Sequence, residues 1–257
     1  MSGPGGTGVS PVSGKGADGD RLLVLLYHNI GPLPRGRALA PHHLPEARFR
    51  AHLRSLQRAG HTFLTAPQAL DWLDGTYAGL PHPTLVTFDD GLADLHTYAL
   101  PILRELDVPA LLFMAAAFVG GVSAWMPRSE HRGNPMLSWE QLRELQAGGV
   151  TIGSHTLSHA HLTEIPATEA VREVQESQRV LEANLGTPVE ALGYPFGEFN
   201  PVVEQVVRDA GYRAAFSTIL GMNTPETDHF ALRRVNIRRW SYLPMFRKKL
   251  KRAERVD

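Results

Sequence analysis

From Arg21 onward the chain alternates between short unbroken apolar runs and stretches whose apolar residues recur every three or four positions. The runs RLLVLLYH, HTFLT, TLVTF, ALLFMAA, VTIGS, ALGYPF, RAAFST and LRRVNI begin at residues 21, 61, 84, 110, 150, 191, 213 and 232. Short continuous runs of this kind mark strands buried on both faces. Helical spacing joins Phe49, Leu53 and Leu56 over 46–59, Leu70 and Leu73 over 67–74, and Leu95, Tyr98, Ile102 and Leu106 over 92–106. Pro101 predicts a kink in the last of these. Ser138 with Gln141 forms a capping box for a helix ending near Gly148. Further helices are expected from Thr168 to Asn184, over 201–210 and over 243–255.

Strands separated by helices imply a parallel sheet with helices outside, joined by right-handed crossovers. With about eight strands in one chain, closure into a barrel is the expectation. Neither a linker nor a repeat divides residues 21–257, so they read as one domain. In such a barrel, chemistry sits at the carboxyl ends of the strands.

Composition narrows this picture in three ways. The 257 residues are 43% hydrophobic and 20% charged with zero formal net charge, so nothing points to nucleic acid as a partner. The absence of cysteine excludes disulfides, thiolate metal sites and cysteine nucleophiles. Residues 1–20, rich in Gly, Ser and Pro, read as a flexible tail without the apolar core of a secretory signal. The apolar stretch 22–27 is too short to cross a membrane.

The strand TLVTF ends on two adjacent carboxylates, Asp89 and Asp90, followed by Gly91. A turn needs one such residue, not two. The strand VTIGS is followed by His155 and His159, four apart, which on one helical turn would face the same way. His161 follows and reads as a surface or packing histidine. Two imidazoles and one carboxylate suit zinc, cobalt or another first-row divalent ion with positions left for water. Adjacent strand-end residues point in different directions. One aspartate can therefore bind the metal while the other reaches water. A third strand end, YPFG, places Pro195 and Gly197 around Phe196, a turn that can expose a backbone N–H.

TFDDG, SHTLSH and YPFG, in this order at strand ends, resemble the polysaccharide deacetylase family, carbohydrate esterase family 4, from about Leu22 to Ile237. The resemblance implies a distorted (β/α)7-type barrel and one divalent metal ion, zinc first with cobalt or nickel as alternatives. It implies removal of N-acetyl groups from an amino-sugar polymer by metal-activated water. It assigns Asp89 as general base, Asp90, His155 and His159 as metal ligands, the Phe196 N–H as oxyanion donor, and Tyr194 and Pro195 to substrate contact. It also suggests the cell envelope as the place of action.

The chain departs from the common family pattern twice. Gly193 stands where many members have arginine, and no Leu-x-His follows later to supply a general acid. LLVLLYHNI, with LRRVNI, resembles instead the poly-N-acetylglucosamine deacetylase branch, whose catalytic histidine comes from the first strand. That assigns the acid to His28, with His229 the next candidate. Trp125, Trp139 and Trp240 are packing residues or sugar-stacking surfaces, 117–137 is an irregular stretch able to line a groove, and RKKLKRAERV is a basic helix face. Two other readings stay open: hydrolysis of a small amide or cyclic imide on the same fold, and a glycan-binding relative without catalysis. The intact aspartate pair argues against the second of these.

Overall fold

The computed structural model describes residues 21–32, 41–77, 79–125 and 133–256. The expected tail over 1–20 and part of the 117–137 stretch lie outside the described residues. The elements in chain order are β1 Leu23–Tyr27, β2 Asn29–Ile30, β3 His43–Leu44, α1 Glu46–Arg58, β4 Thr62–Phe63, α2 Ala66–Leu73, β5 Pro83–Phe88, α3 Leu100–Leu106, β6 Ala110–Met114, α4 Trp139–Ala147, β7 Val150–Ser154, α5 Ala167–Leu185, β8 Ala191–Gly193, α6 Pro201–Asp209, β9 Ala214–Phe216, β10 Val235–Asn236 and α7 Leu243–Ala253.

The principal sheet is parallel throughout, in the order β10-β1-β5-β6-β7-β8-β9, with β4 also paired to β5. It curls into a distorted (β/α)7 barrel. Each run expected to be a strand contributes to this sheet, though ALGYPF shortens to Ala191–Gly193 and LRRVNI to Val235–Asn236. No helix separates β9 from β10. A single parallel bridge, Phe216 to Leu232, links the two outer strands' segments.

Alternation along the strands sorts residues between two apolar clusters. Leu23, Leu25, Tyr27, Val86 and Phe88 pack with Phe49 and Leu53 of α1, Val174 of α5 and Phe246 of α7. Leu22, Val24, Leu85, Leu111, Phe113 and Phe216 pack on the other face, with Leu70 and Trp72 of α2. Both faces are covered, so the strands read as unbroken apolar runs.

Helix starts follow side-chain chemistry. Thr65 with Gln68 and Ser138 with Gln141 each form a complete capping box, and Asn200 caps α6 by accepting from the Val203 N–H. The helix expected over 92–106 is continuous from Asp94 to Leu106, and within it a π-helical stretch, Leu95–Ala99, runs directly into α3. Pro101 closely follows that stretch, where the bonding pattern already departs from the α-helical ladder that proline would interrupt.

Register aligns the strand ends. Tyr27 pairs with Phe88, and the Asp89 N–H continues the ladder to the Tyr27 carbonyl at 3.0 Å. Met114 pairs with Ser154, and the His155 N–H continues to the Met114 carbonyl at 2.9 Å. His28, Asp89 and His155 therefore emerge together, each one residue past the last strand pair, at one rim of the barrel.

Behind this rim, α1 buries a polar residue. His52 Nε2 donates to the Ser241 carbonyl at 2.6 Å, so its Nδ1, 3.3 Å from the Tyr27 hydroxyl, accepts. Its ring stacks on Phe246 at 4.0 Å. Burial, aided by Arg48 and opposed by the Ser241 bond, lowers its pKa from 6.5 to about 4. Between these values the unfolded chain binds more protons than the folded one, so stability falls as pH falls. His52→Gln keeps an N–H for Ser241 and removes the titration. The expected outcome is a loss of roughly 3 kcal/mol between pH 6.5 and 4 attributable to His52, measured as the difference between wild-type and variant denaturation midpoints across that range.

Candidate active site

Two strand ends, those of β5 and β7, bring Asp90, His155 and His159 together. His159 Nε2 lies 3.3 Å and His155 Nε2 3.7 Å from Asp90 Oδ1. All three residues are buried, and one ligating atom from each lies within 4.8 Å of the others. The two histidines do not share a helical turn as their spacing suggested. Residues 155–161 form no helix, and left-handed backbone at Thr156 (φ 63°) and His159 (φ 59°) folds the loop so that both rings converge. Asp90 is also left-handed, at φ 76°. Such conformations are uncommon outside glycine and persist where the surroundings dictate them.

Each ligand candidate is held from behind. His155 Nδ1 donates to the Gly193 carbonyl at 2.7 Å, which leaves Nε2 as a lone pair aimed at Asp90. His159 is held by packing: Trp125 stacks on its ring at 4.7 Å and 15°, and its N–H donates to Thr156 Oγ1 at 3.1 Å. Burial, the largest influence, lowers the His155 pKa to about 4 despite Asp89 and Asp90 nearby. A neutral imidazole is the ligating form. Burial pushes the Asp90 carboxyl up, but the His159 hydrogen bond and the charges of His28, His159 and His155 hold it well below the usual carboxylate range. Two imidazole lone pairs and an ionised carboxylate, desolvated together, fit a first-row divalent cation.

The neighbouring Asp89 points elsewhere. Arg234 clasps it through two bonds, Nη1 to Oδ1 at 2.7 Å and Nη2 to Oδ2 at 2.9 Å. Arg234 is completely buried, and its Nε donates to the Ser217 carbonyl at 2.7 Å. Burial pushes the Asp89 carboxyl up, yet Arg234, His155 and His28 outweigh it and keep it ionised. Arg234 stands in LRRVNI, outside the motifs that mark the site in the sequence. An arginine inside an apolar run was the available signal.

At Gly193 a Cβ would lie 2.8 Å from the Phe113 ring and 3.2 Å from His155 Nδ1, so a side chain would force the neighbours to shift. The guanidinium reaches the aspartate from the segment before β10 instead.

One cavity of about 260 Å³ is lined by His28, Asp89, Asp90, His155, His159 and Phe196, together with His42 and Arg238. His28 Nδ1 lies 3.3 Å from His42 Nδ1. Burial lowers the His28 pKa, against Asp90 and Asp89, which raise it. His42 carried no sequence signal; it reaches the cavity because β3 pairs with β2, just past His28. His229 is not among the lining residues; it lies beside Asp74, 3.6 Å away.

Two residues expected at the substrate lie away from the cavity lining. Tyr194 is completely buried, donates its hydroxyl to the Phe230 carbonyl at 2.9 Å and stacks on Phe199. Pro195 is also buried, and neither residue lines the cavity. They shape the turn rather than face a ligand. Trp125 packs on the site, Trp139 is partly buried against the core, and Trp240 is exposed.

Phe196, which follows them, has φ 60° and ψ −2°, and among the described residues its N–H donates to no side chain and to no carbonyl outside its turn. Gly197 continues the turn at φ 77°, and a Cβ there would fall 2.1 Å from Thr218 Oγ1.

Comparison with known proteins gives a consistent result. The family described as polysaccharide deacetylase matches residues 80–215. YxkH of Bacillus subtilis (strain 168), whose name places it among candidate polysaccharide deacetylases, is 26% identical over 217 residues, covering 84% of this chain and 71% of that protein. The poly-beta-1,6-N-acetyl-D-glucosamine N-deacetylase of Staphylococcus aureus (strain MRSA252) is 25% identical over 161 residues, covering 59% of this chain and 53% of that protein. The chain thus spans about half the length of that relative. The solved structure of IcaB from Ammonifex degensii is 28% identical, covers 86% of this chain and 93% of that chain, and has a TM-score of 0.74.

Arg234→Leu would leave Asp89 buried and unpaired, which typically costs about 3–5 kcal/mol. Urea denaturation is expected to show a loss of that order. Replacing both partners, Asp89→Leu with Arg234→Leu, is expected to recover much of it, because no uncompensated charge remains. A double variant as unstable as the single one would show that Arg234 acts through packing.

Proposed function

The chain belongs to the polysaccharide deacetylase family, and on that footing we propose that it is a metal-dependent hydrolase removing N-acetyl groups from an N-acetylglucosamine-containing polysaccharide. The observation that carries this reading is the division of labour between two adjacent aspartates. Asp90 joins two imidazoles in a cation-sized set, while Asp89 is kept ionised by Arg234 in the same cavity. The name of the Staphylococcus aureus relative supports an N-acetylglucosamine polymer as substrate. The cavity volume, about 260 Å³, is below the ~300–1,000 Å³ usual for drug-sized ligands. It suits one acetamido group and its sugar, with the remaining polymer outside the mouth.

Asp90, His155 and His159 would hold the ion, with zinc favoured by the two-histidine, one-carboxylate donor set. Bound there, a divalent cation supplies Lewis acidity that polarises the amide carbonyl and lowers the pKa of water toward about 7. Asp89 accepts the proton of the attacking water. The Arg234 clasp fixes its orientation and keeps it ionised before water is deprotonated. The Phe196 N–H donates to the oxygen on which negative charge develops. His28 gives a proton to the departing amine, without which the C–N bond cannot break productively. Its bond to His42 fixes the ring's orientation. Acetate and a free amino sugar result.

Chelation is expected to abolish acetate release from N-acetylglucosamine oligomers, and added Zn²⁺ or Co²⁺ to restore it. Asp90→Asn should weaken metal uptake. Asp89→Asn should keep the metal and lose on the order of 10²–10⁴-fold in turnover. Full turnover by metal-free protein would sink this reading; equal metal loss in both variants would overturn the assignment of roles.

His28→Ala should bind metal normally yet hydrolyse the sugar amide far more slowly. A nitrophenyl acetate has a leaving group that needs no proton, so the same variant should lose much less on that ester. Equal losses on both substrates would place the acid elsewhere.

A further inference from the structure

The turn that carries Phe196 is strained and exposed, and a second pair of residues grips it. Left-handed backbone at a large aromatic residue costs on the order of 1–3 kcal/mol and needs an external hold. The Phe196 side chain is 38% exposed, so core packing supplies only part of that hold. The ring of His161 lies parallel on the Phe196 ring, 3.7 Å between centroids and 1° between planes. His161 Nδ1 is 2.9 Å from Glu198 Oε2, two residues beyond Phe196. The loop after β7 thus grips the turn after β8 at residues 196 and 198 together. The Phe196 ring also meets the His159 ring roughly at right angles, 4.7 Å between centroids and 86° between planes. Phe196 thus contacts two histidines of one loop.

We propose that His161 and Glu198 are positioning residues, which hold the Phe196 turn so that its N–H faces the reacting carbonyl. The inference rests on the reading of that N–H as an oxyanion donor. Both side chains of the pair are substantially exposed, and an exposed ion pair contributes little stability. The bond orients the imidazole, and the flat ring contact then fixes the Phe196 side chain and with it the backbone. The role is therefore one of geometry, visible in turnover and not in stability. Glu164 completes a possible second donor group with His161 and Glu198, all partly or fully exposed. Among the described residues nothing else points to an ion there.

His161→Ala is expected to lower kcat roughly tenfold while leaving KM and Zn²⁺ affinity unchanged. This is less than the 10²–10³-fold lost when an oxyanion donor is removed outright, since the N–H would be displaced and not deleted. His161→Phe, which keeps the stacked ring without the nitrogen, should recover most of kcat. A second readout is independent of activity: in metal-free protein labelled with [¹⁵N]phenylalanine, the Phe196 amide signal, assigned by its loss in Phe196→Leu, should move in His161→Ala and in Glu198→Ala. It should stay in place in Glu164→Ala. An unmoved Phe196 signal in His161→Ala overturns the proposal, as does a moved signal with unchanged kcat. So does binding of a second Zn²⁺ equivalent that is lost in both Glu164→Ala and Glu198→Ala. If the wild-type protein releases no acetate, the functional reading fails, while the amide signals still decide whether the pair holds the turn.

Discussion

The buried clasp between Arg234 and Asp89 is the constraint on which the site depends. Two charges removed from water repay their desolvation only through close, fully bonded geometry. Here the guanidinium meets both carboxylate oxygens, and its third nitrogen satisfies the Ser217 carbonyl. The pair also crosses the weak seam of the barrel. It ties the end of β5 to the segment before β10, close to the place where the sheet closes through one bridge instead of a ladder. One interaction therefore keeps Asp89 ionised, orients it and helps hold the outer segments in place. With Asp89 engaged there, Asp90 alone is left to face the two imidazoles.

The site is also where backbone strain collects. Among the described residues, four of the six non-glycine residues with positive φ are Asp90, Thr156, His159 and Phe196. Regular strands end at a rim with side chains pointing alternately in and out. Three ligands from two loops cannot be aimed at one point by that alternation. Left-handed residues turn the chain sharply enough to do so. The surrounding bonds offset their cost: His155 to the Gly193 carbonyl, Thr156 to the His159 N–H, and the rings of Trp125 and His161 against their neighbours.

Departures from simple sequence patterns have local physical causes. The helix read over 92–106 was periodic throughout, but periodicity does not distinguish a π-helical turn from an α-helix over five residues. Pro101 fits just after the π-helical stretch, where the bonding ladder already departs from the α pattern. Tyr194 and Pro195 sit beside a chemically meaningful turn, and the family resemblance assigns them to substrate contact. The strand before them points Tyr194 into the core, where its hydroxyl finds the Phe230 carbonyl.

By itself, the sequence determined the strand and helix order, the parallel sheet, the two aspartates, the two histidines and the first-strand histidine. These follow from apolar runs, capping boxes and the placement of titratable residues just past strands, all local in the chain. The tertiary structure decided what each residue meets. Arg234 finds an aspartate 145 positions earlier in the chain, and His42 and Trp125 reach the site from loops that carry no motif. His155 and His159 converge by left-handed kinks, where their spacing had suggested a helix. Such pairings depend on which strand ends share a rim and on how much space a glycine leaves. Both are set by strand register and packing across the whole chain, which no local window of residues contains.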